Sequence, residues 1–235
     1  MRDRDARVAG LLYLVAVAGG LFDLQYIPAR FNVLGNAAAT AHNILANEFL
    51  FRLGIVADLV LGIVWLCVVL ALYQLLKDVD RIQAYLMLIL GALLQVPLYY
   101  VNVVNRVAAL VLVTNNDFVT AFSVAQRDAL AMLFLRFYHY QLLSSFVFAG
   151  LWLIPFGILI YKSQIYPRLL GVWLVVNGFA YLAICIVGFL APQYSDLLDN
   201  ITQPILFGEI AIMLWLLIFG AKKISFPYRR VKRIV

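Results

Sequence analysis

Charged residues are scarce in this chain of 235 residues. Asp, Glu, Lys and Arg make up 13% of it, against about 25% in a typical soluble domain. Hydrophobic residues make up 65%, and the mean hydropathy is +0.96. This leaves too little polar surface to cover a water-soluble globule, so the composition predicts an integral membrane protein. We expect a single domain over residues 1–235, nearly all of it in or near the bilayer.

Cysteine and histidine are also scarce, with two of each. Cys67 and Cys185 lie in separate apolar runs without a second cysteine at C-x-x-C spacing, which argues against a disulfide framework. Common zinc sites use several His, Cys or carboxylate ligands, and the histidines of this chain are only two, His42 and His139. The metalloprotease, nucleophile-elbow, P-loop and dinucleotide-binding motifs are missing as well. We therefore predict no cofactor and find no motif that supports an enzyme.

Long hydrophobic runs are what the sequence does contain. A helix needs about 20 apolar residues to cross the hydrocarbon core, and unpaired backbone groups have no partner in lipid. The sequence therefore predicts an all-α membrane protein, a bundle of six transmembrane helices. Polar segments that begin at Asn36 and at Asn116 or Asp117 predict short interfacial helices on the outer side. The six runs are residues 8–27, 52–76, 82–113, 131–161, 168–190 and 204–221.

The distribution of Lys and Arg predicts the orientation of the bundle. If the N-terminus is cytoplasmic, 13 of the 18 basic residues fall on the cytoplasmic side, including a basic tail from about residue 222. Both termini are then cytoplasmic. The net charge of +6 is explained by topology, so we expect membrane lipids as partners and no nucleic acid. The first run could instead be a signal peptide cleaved near Ala16–Ala18, but its apolar residues continue to Ile27.

Asp58 lies within the second run and needs a partner. Glu48 and Arg52 are four residues apart and can pair on one helix face. Asp58 is six residues beyond Arg52, about 120° away around the helix, so it cannot join them. Lipid does not accept a carboxylate cheaply. We predict that Asp58 faces the bundle interior and pairs with Arg106, Arg136 or His139.

The third run carries a polar stripe. Gln95, Tyr99, Asn102 and Arg106 are spaced four, three and four residues apart, which places them on one helix face. Pro97 lies within this stripe and frees a backbone carbonyl near Leu93, where a helix can kink and a cavity can open.

Two further runs add polar residues at a similar depth. Arg136, His139 and Tyr140 of the fourth run follow helical spacing, and Glu209 lies in the sixth run. Charged groups in spanning helices normally face the interior and pair with one another. We therefore predict one outward-facing polar cluster shared by the second, third, fourth and sixth runs.

Three interpretations of this cluster stay open. The leading one is binding or passage of a small polar or lipid-headgroup ligand, in which two arginines hold an anion and two acids balance them. The second is an intramembrane hydrolase or metalloenzyme that uses His139 with Asp58 or Glu209. The third is a structural partner subunit whose polar groups only hold helices together. The oligomeric state stays open too. The predicted ligand-binding residues are Asp58, Asn102, Arg106, Arg136, His139 and Glu209.

Several phrases resemble a family of bacterial membrane proteins known as domain of unknown function, number 4386. They are "ARVAGLLYLV", "NAAATAHNILANEFLFRLGIVADLV", "SQIYPRLLGVWLVVNGFAYL" and "GEIAIMLWLLIFG". The resemblance covers about residues 6 to 222 and implies a multi-span bacterial membrane protein that keeps its first helix. We expect it in the cytoplasmic (inner) membrane. It implies no activity, substrate or cofactor.

Some of the family's typical phrases can be located in this chain. The F-R-L-G-x-x-A-D phrase matches Phe51 to Asp58, and a G-E phrase matches Gly208 and Glu209. Where the family often has L-H in the fourth run, this chain has Tyr138 and His139. The tail beyond Lys223 is not part of the resemblance.

Overall fold

The structure, a computed structural model, describes residues 2–114 and 121–221. Within these residues the elements are helical and no strand occurs. Six helices are long and apolar enough to cross a membrane, which confirms the predicted all-α, multi-span class. They are helix 1 (Asp3–Phe31), helix 2 (Glu48–Leu76), helix 3 (Arg81–Val113), helix 4 (Val124–Ser163), helix 5 (Arg168–Leu190) and helix 6 (Pro192–Ile218).

One of the two predicted short helices is present as a separate element. It spans Ala37–Ala46, and the Asn36 side chain caps it by accepting a hydrogen bond from the Ala39 amide at 2.9 Å. The predicted start of the other, at Asn116 or Asp117, lies outside the described residues, as does the predicted basic tail from residue 222. From residue 124 onward the chain belongs to helix 4, which begins with a capping box between Ser123 and Gln126.

The six helices run antiparallel to their chain neighbours, which gives the bundle two ends. The terminal end carries the start of helix 1, residues 77–80, residues 164–167 and the end of helix 6. The loop end carries residues 32–47, 121–123 and 191–194. Apolar side chains fill the terminal half around Trp152, Leu153 and Phe156. A smaller apolar cluster around Phe31 and Phe51 closes the loop end.

Helices 4 and 5 meet backbone to backbone at two glycine pairs. A Cβ atom built on Gly150 would lie 2.5 Å from the Gly178 carbonyl oxygen, and one built on Gly178 would lie 2.6 Å from the Gly150 oxygen. Gly157 and Gly171 show the same reciprocal approach. Small residues allow close helix packing in lipid, where no hydrophobic effect draws helices together.

Two helices contain a π-helical segment. Residues Phe22–Tyr26 interrupt helix 1 and residues Ile89–Leu94 interrupt helix 3, directly before the predicted polar stripe. The second interruption lies where Pro97 was expected to disturb the backbone, and the Trp65 indole N–H donates to the Gly91 carbonyl at 2.8 Å. Such segments add a residue to the turn and redirect the side chains around them. The redirected side chains include Asp23, which is buried.

Candidate intramembrane binding site

Arg106 is the centre of a buried ion cluster. Its Nη1 atom donates to Asp58 Oδ2 at 2.9 Å, to the Gly54 carbonyl at 3.3 Å and to Asp23 Oδ1. Its Nη2 atom donates to the Asp23 carbonyl at 3.0 Å. The Arg106 and Asp23 side chains are 3% and 1% exposed and that of Asp58 is 13% exposed. The predicted pairing of Asp58 is confirmed, and of the three candidates its partner is Arg106.

Tyr138 is the contribution of helix 4 to the cluster. Its hydroxyl group donates to Asp58 Oδ1 at 2.9 Å, and the Arg106 guanidinium lies 4.1 Å from the centre of its ring. This geometry is a cation–π contact. The Asn102 side chain donates to the Tyr138 carbonyl at 3.0 Å and so fixes helix 3 against helix 4. Asp23 in helix 1 and Tyr138 in helix 4 were not among the predicted site residues.

Arg136 and His139 do not join the cluster, which corrects the prediction for helix 4. Both side chains are exposed. With about 100° between successive residues, an inward-facing Tyr138 turns His139 and Arg136 to other directions. His139 does line a small pocket of about 90 Å³ together with Arg106 and Tyr138. An anion site formed by Arg106 and Arg136 is therefore not present.

The metalloenzyme interpretation also lacks a ligand set. In residues 2–114 and 121–221, no group of three or more His, Cys, Asp or Glu side chains is placed to hold a metal ion. Asp58 is engaged by Arg106, and Glu209 lies elsewhere, against Tyr13.

A cavity of about 470 Å³ lies between the ion cluster and the packed terminal half. This volume is in the range of small-molecule sites. The cavity brings together three of the predicted site residues, Asp58, Asn102 and Glu209. It also has an aromatic wall, whose members are Tyr13, Trp65, Tyr99, Tyr138, Phe146, Trp152, Tyr181 and Phe207.

Glu209 belongs to helix 6 and lies on the cavity wall, close to helices 1 and 5. The Tyr13 hydroxyl group donates a hydrogen bond to Glu209 Oε2, and Tyr181 of helix 5 lines the same cavity. Among the described residues, Glu209 forms no ion pair with a basic side chain. The two tyrosines were missed by the sequence analysis, because in a chain with 13 tyrosines nothing marks these two.

Gln95 and Asn102 confirm the polar stripe predicted for helix 3, since both are buried with Arg106. The Gln95 Nε2 atom donates to the Tyr99 hydroxyl group at 2.8 Å. Its Oε1 atom is buried and has no hydrogen-bond partner within the described part of the chain. Gln95 is also one of the residues that line the cavity.

The cavity opens sideways between helix 1 and helix 6. Leu21 and Gln25 of helix 1 and Gln203 and Phe207 of helix 6 line the cavity and are exposed. At the terminal end the same two helices are in close contact, since a Cβ atom on Gly10 would lie 2.6 Å from a backbone nitrogen of helix 6. The mouth of the cavity therefore lies between helices 1 and 6, which pack closely at the terminal end of the bundle.

Two sequence phrases that are typical of the family contribute residues to this site. In the F-R-L-G-x-x-A-D phrase, Phe51 packs edge-on against Phe31, the Gly54 carbonyl accepts from Arg106, and Asp58 pairs with Arg106. In the G-E phrase, Gly208 faces the Trp173 indole and Glu209 faces the cavity.

The fold and the site define a class: a multi-span helical membrane protein with a cavity within the bundle. Residues 8–220 match the model of the family called domain of unknown function DUF4386, and the chain belongs to that family. This confirms the resemblance stated from the sequence. No curated protein and no solved structure matches the chain. The family description names no activity, so the proposals below depend on the geometry of the site.

Proposed function

We propose that this protein binds a small amphipathic ligand in the intramembrane cavity and receives it sideways from the bilayer. The observation that carries the proposal is a cavity of about 470 Å³ whose mouth lies between helix 1 and helix 6. A ligand with an apolar body and a polar group fits this lining, because aromatic walls surround a small number of polar groups.

The ion cluster supports a binding role more than passage through the bundle. Arg106 lines the small pocket on the loop-end side of the cavity, its partners Asp23 and Asp58 line the cavity itself, and Tyr138 lines both. A ligand that moved from one to the other would have to separate Arg106 from its carboxylate partners. Breaking a buried ion pair typically costs about 3–5 kcal/mol. Arg106 therefore belongs to the barrier between the cavity and the small pocket, and it is not the group that holds the ligand.

The proposed orientation follows from charge. We place both termini in the cytoplasm, because 13 of the 18 Lys and Arg residues then lie on that side. We also propose, from the family resemblance, that the protein resides in the cytoplasmic membrane of a bacterium, with membrane lipids as its partners and no nucleic acid. In this orientation the short helix Ala37–Ala46 lies at the outer interface.

Binding can be tested by equilibrium dialysis of radiolabelled eight-carbon probes against the purified protein in a neutral maltoside detergent. The probes are octan-1-ol, octylamine and octanoate. Ala16 lines the cavity, so Ala16→Phe fills part of it. Ala18 lies on the same helix, is exposed and does not line the cavity, so Ala18→Phe is the matched control.

We expect saturable binding of at least one probe at one site per chain. Ala16→Phe should remove this binding, whereas Ala18→Phe should keep it. If no probe binds, or if both variants behave like the wild type, the cavity is not a ligand site. The polar groups would then serve only to join helices, as in the structural-subunit interpretation.

A further inference from the structure

We infer that the ligand is an organic ammonium ion with N–H donors, whose charged group lies against Glu209 and Gln95. This inference rests on the proposed function and gives the ligand a chemical class. It replaces the anion expected from the sequence.

The charge of the lining is the first argument. Asp23, Asp58 and Glu209 line the cavity, and the residues described as lining it include no Lys, Arg or His. Arg106 does not line the cavity, but it pairs with Asp23 and Asp58, which do. If the carboxyl groups are ionised, three negative charges face one positive charge. An anion would add to the excess, whereas a cation would reduce it.

The environment of Glu209 is the second argument. A charge removed from water needs both hydrogen bonds and an opposite charge to be stable. Tyr13 supplies a hydrogen bond to the carboxylate, but it supplies no charge. No ion pair to Glu209 occurs within residues 2–114 and 121–221. An ammonium group in the cavity would supply the missing cation.

The third argument is the free acceptor of Gln95. Its side chain is 1% exposed, and its Oε1 atom lacks a hydrogen-bond partner among the described residues. A buried acceptor without a donor costs about 1–3 kcal/mol, so a donor is expected in the cavity. An N–H group of a ligand would satisfy Gln95, and the same ligand could reach the Glu209 carboxylate because both side chains line one cavity.

The aromatic wall is independent of the carboxylates and favours the same charge. Faces of Tyr and Trp attract cations, and aromatic cages are a recurrent way to hold organic ammonium ions. Tyr13, Trp65 and Trp152 form a contiguous group, with ring centres 5.6 Å apart for Tyr13 and Trp65 and 5.1 Å apart for Trp65 and Trp152. The group lies beside Glu209, which accepts from Tyr13. It would contact the first carbon atoms of the ligand and the ammonium group together.

The dialysis experiment decides the charge when probes of equal chain length are compared at pH 7, where an alkylamine is protonated. We expect octylamine to bind at least about tenfold more tightly than octan-1-ol, and octanoate not to bind. Octyltrimethylammonium has the charge but no N–H donor, so it should bind more weakly than octylamine. Glu209→Gln keeps an acceptor for Tyr13 but removes the charge, and it should lower octylamine affinity to the level of octan-1-ol.

The matched control is Glu48→Gln, which removes an exposed carboxylate far from the cavity lining and should leave octylamine affinity unchanged. If octan-1-ol binds as tightly as octylamine, the ammonium inference is wrong while the cavity still binds ligands. If octyltrimethylammonium matches octylamine, the assignment of an N–H donor to Gln95 is wrong. If the Glu209→Gln protein does not fold, the comparison of probes on the wild-type protein still decides the charge.

Discussion

Arg106 and Asp58 are 48 residues apart in the chain, and Nη1 of one lies 2.9 Å from Oδ2 of the other inside the bundle. This contact joins helix 3 to helix 2, and the bond from Arg106 to Asp23 adds helix 1. One guanidinium group therefore holds two carboxylates from two other helices.

The first prediction concerns the unequal cost of removing these charges. Arg106→Gln leaves two buried carboxylates without a cation and should lower the free energy of unfolding by about 3–5 kcal/mol. Asp58→Asn should cost less, because Arg106 then keeps Asp23 in a one-to-one pair. Adding Asp58→Asn to Arg106→Gln should recover part of the loss. Unfolding of the purified protein in detergent measures all three.

The control for this prediction is an exposed pair with similar chemistry. Arg52 donates to Glu48 at 2.7 Å, as its helical spacing predicts, and the two side chains are 56% and 39% exposed. Arg52→Gln should cost only about 0.2–1 kcal/mol. Equal losses for Arg52→Gln and Arg106→Gln would mean that Arg106 does not stabilise the bundle through its buried charge.

The pairing of Asp58 could be predicted from the sequence because spacing and depth constrain it. Arg52 was excluded by its angle around the helix, and the remaining basic groups at that depth were few. Asp23 could not be predicted in the same way, because its direction depends on the π-helical segment Phe22–Tyr26, and ideal helix geometry does not predict that segment.

The face of helix 4 could not be predicted for a different reason. This helix is apolar on most sides, so its sequence pattern does not show which side is buried. Arg136 and His139 were grouped with the interior because they are polar and three residues apart. The buried member is Tyr138, whose hydroxyl group reaches Asp58. In a chain rich in aromatic residues, the sequence does not distinguish a tyrosine that forms a polar contact from one that only packs.

The second prediction concerns the glycine contacts between helices 4 and 5. Gly150→Ala would place a Cβ atom 2.5 Å from the Gly178 carbonyl oxygen, so the helices must separate. We expect a loss of about 1–3 kcal/mol, as for other overpacked positions. Gly20→Ala is the control, because a Cβ atom there meets nothing within 4 Å. Thermal unfolding in detergent should rank Gly150→Ala far below Gly20→Ala, and a reversed order would exclude close packing at this pair.

The third prediction concerns pH and the connection between helices 2 and 3. The Asp80 carboxylate accepts from Lys162 Nζ at 2.7 Å and from the Ile82 and Gln83 amides. The hydrogen bond from Lys162 and those from the backbone amides lower the pKa of Asp80 below its usual 3.8. A lowered pKa stabilises the folded state above the usual value, and this contribution is lost as the pH falls through the folded-state pKa.

Asp80→Asn keeps an acceptor for the helix cap but cannot ionise. The stability difference between the wild-type protein and this variant should be constant above about pH 5 and should shrink as the pH falls below 4. Unfolding curves measured from pH 3 to pH 7 test this. A difference that does not change over that range would show that the Asp80 charge does not contribute.

The last prediction concerns orientation, which the positive-inside rule addresses. With both termini in the cytoplasm, the connection between helices 5 and 6 is external and the one between helices 2 and 3 is internal. Gln193 lies in the first of these connections and Asp78 in the second, and both residues are exposed.

For the test, Cys67 and Cys185 are replaced by alanine, and a single cysteine is then placed at position 193 or at position 78. An impermeant maleimide added to intact cells should label the cysteine at 193 and leave the one at 78 unlabelled until the cells are opened. The opposite pattern would place the termini outside and, with them, most of the basic residues, contrary to the charge argument.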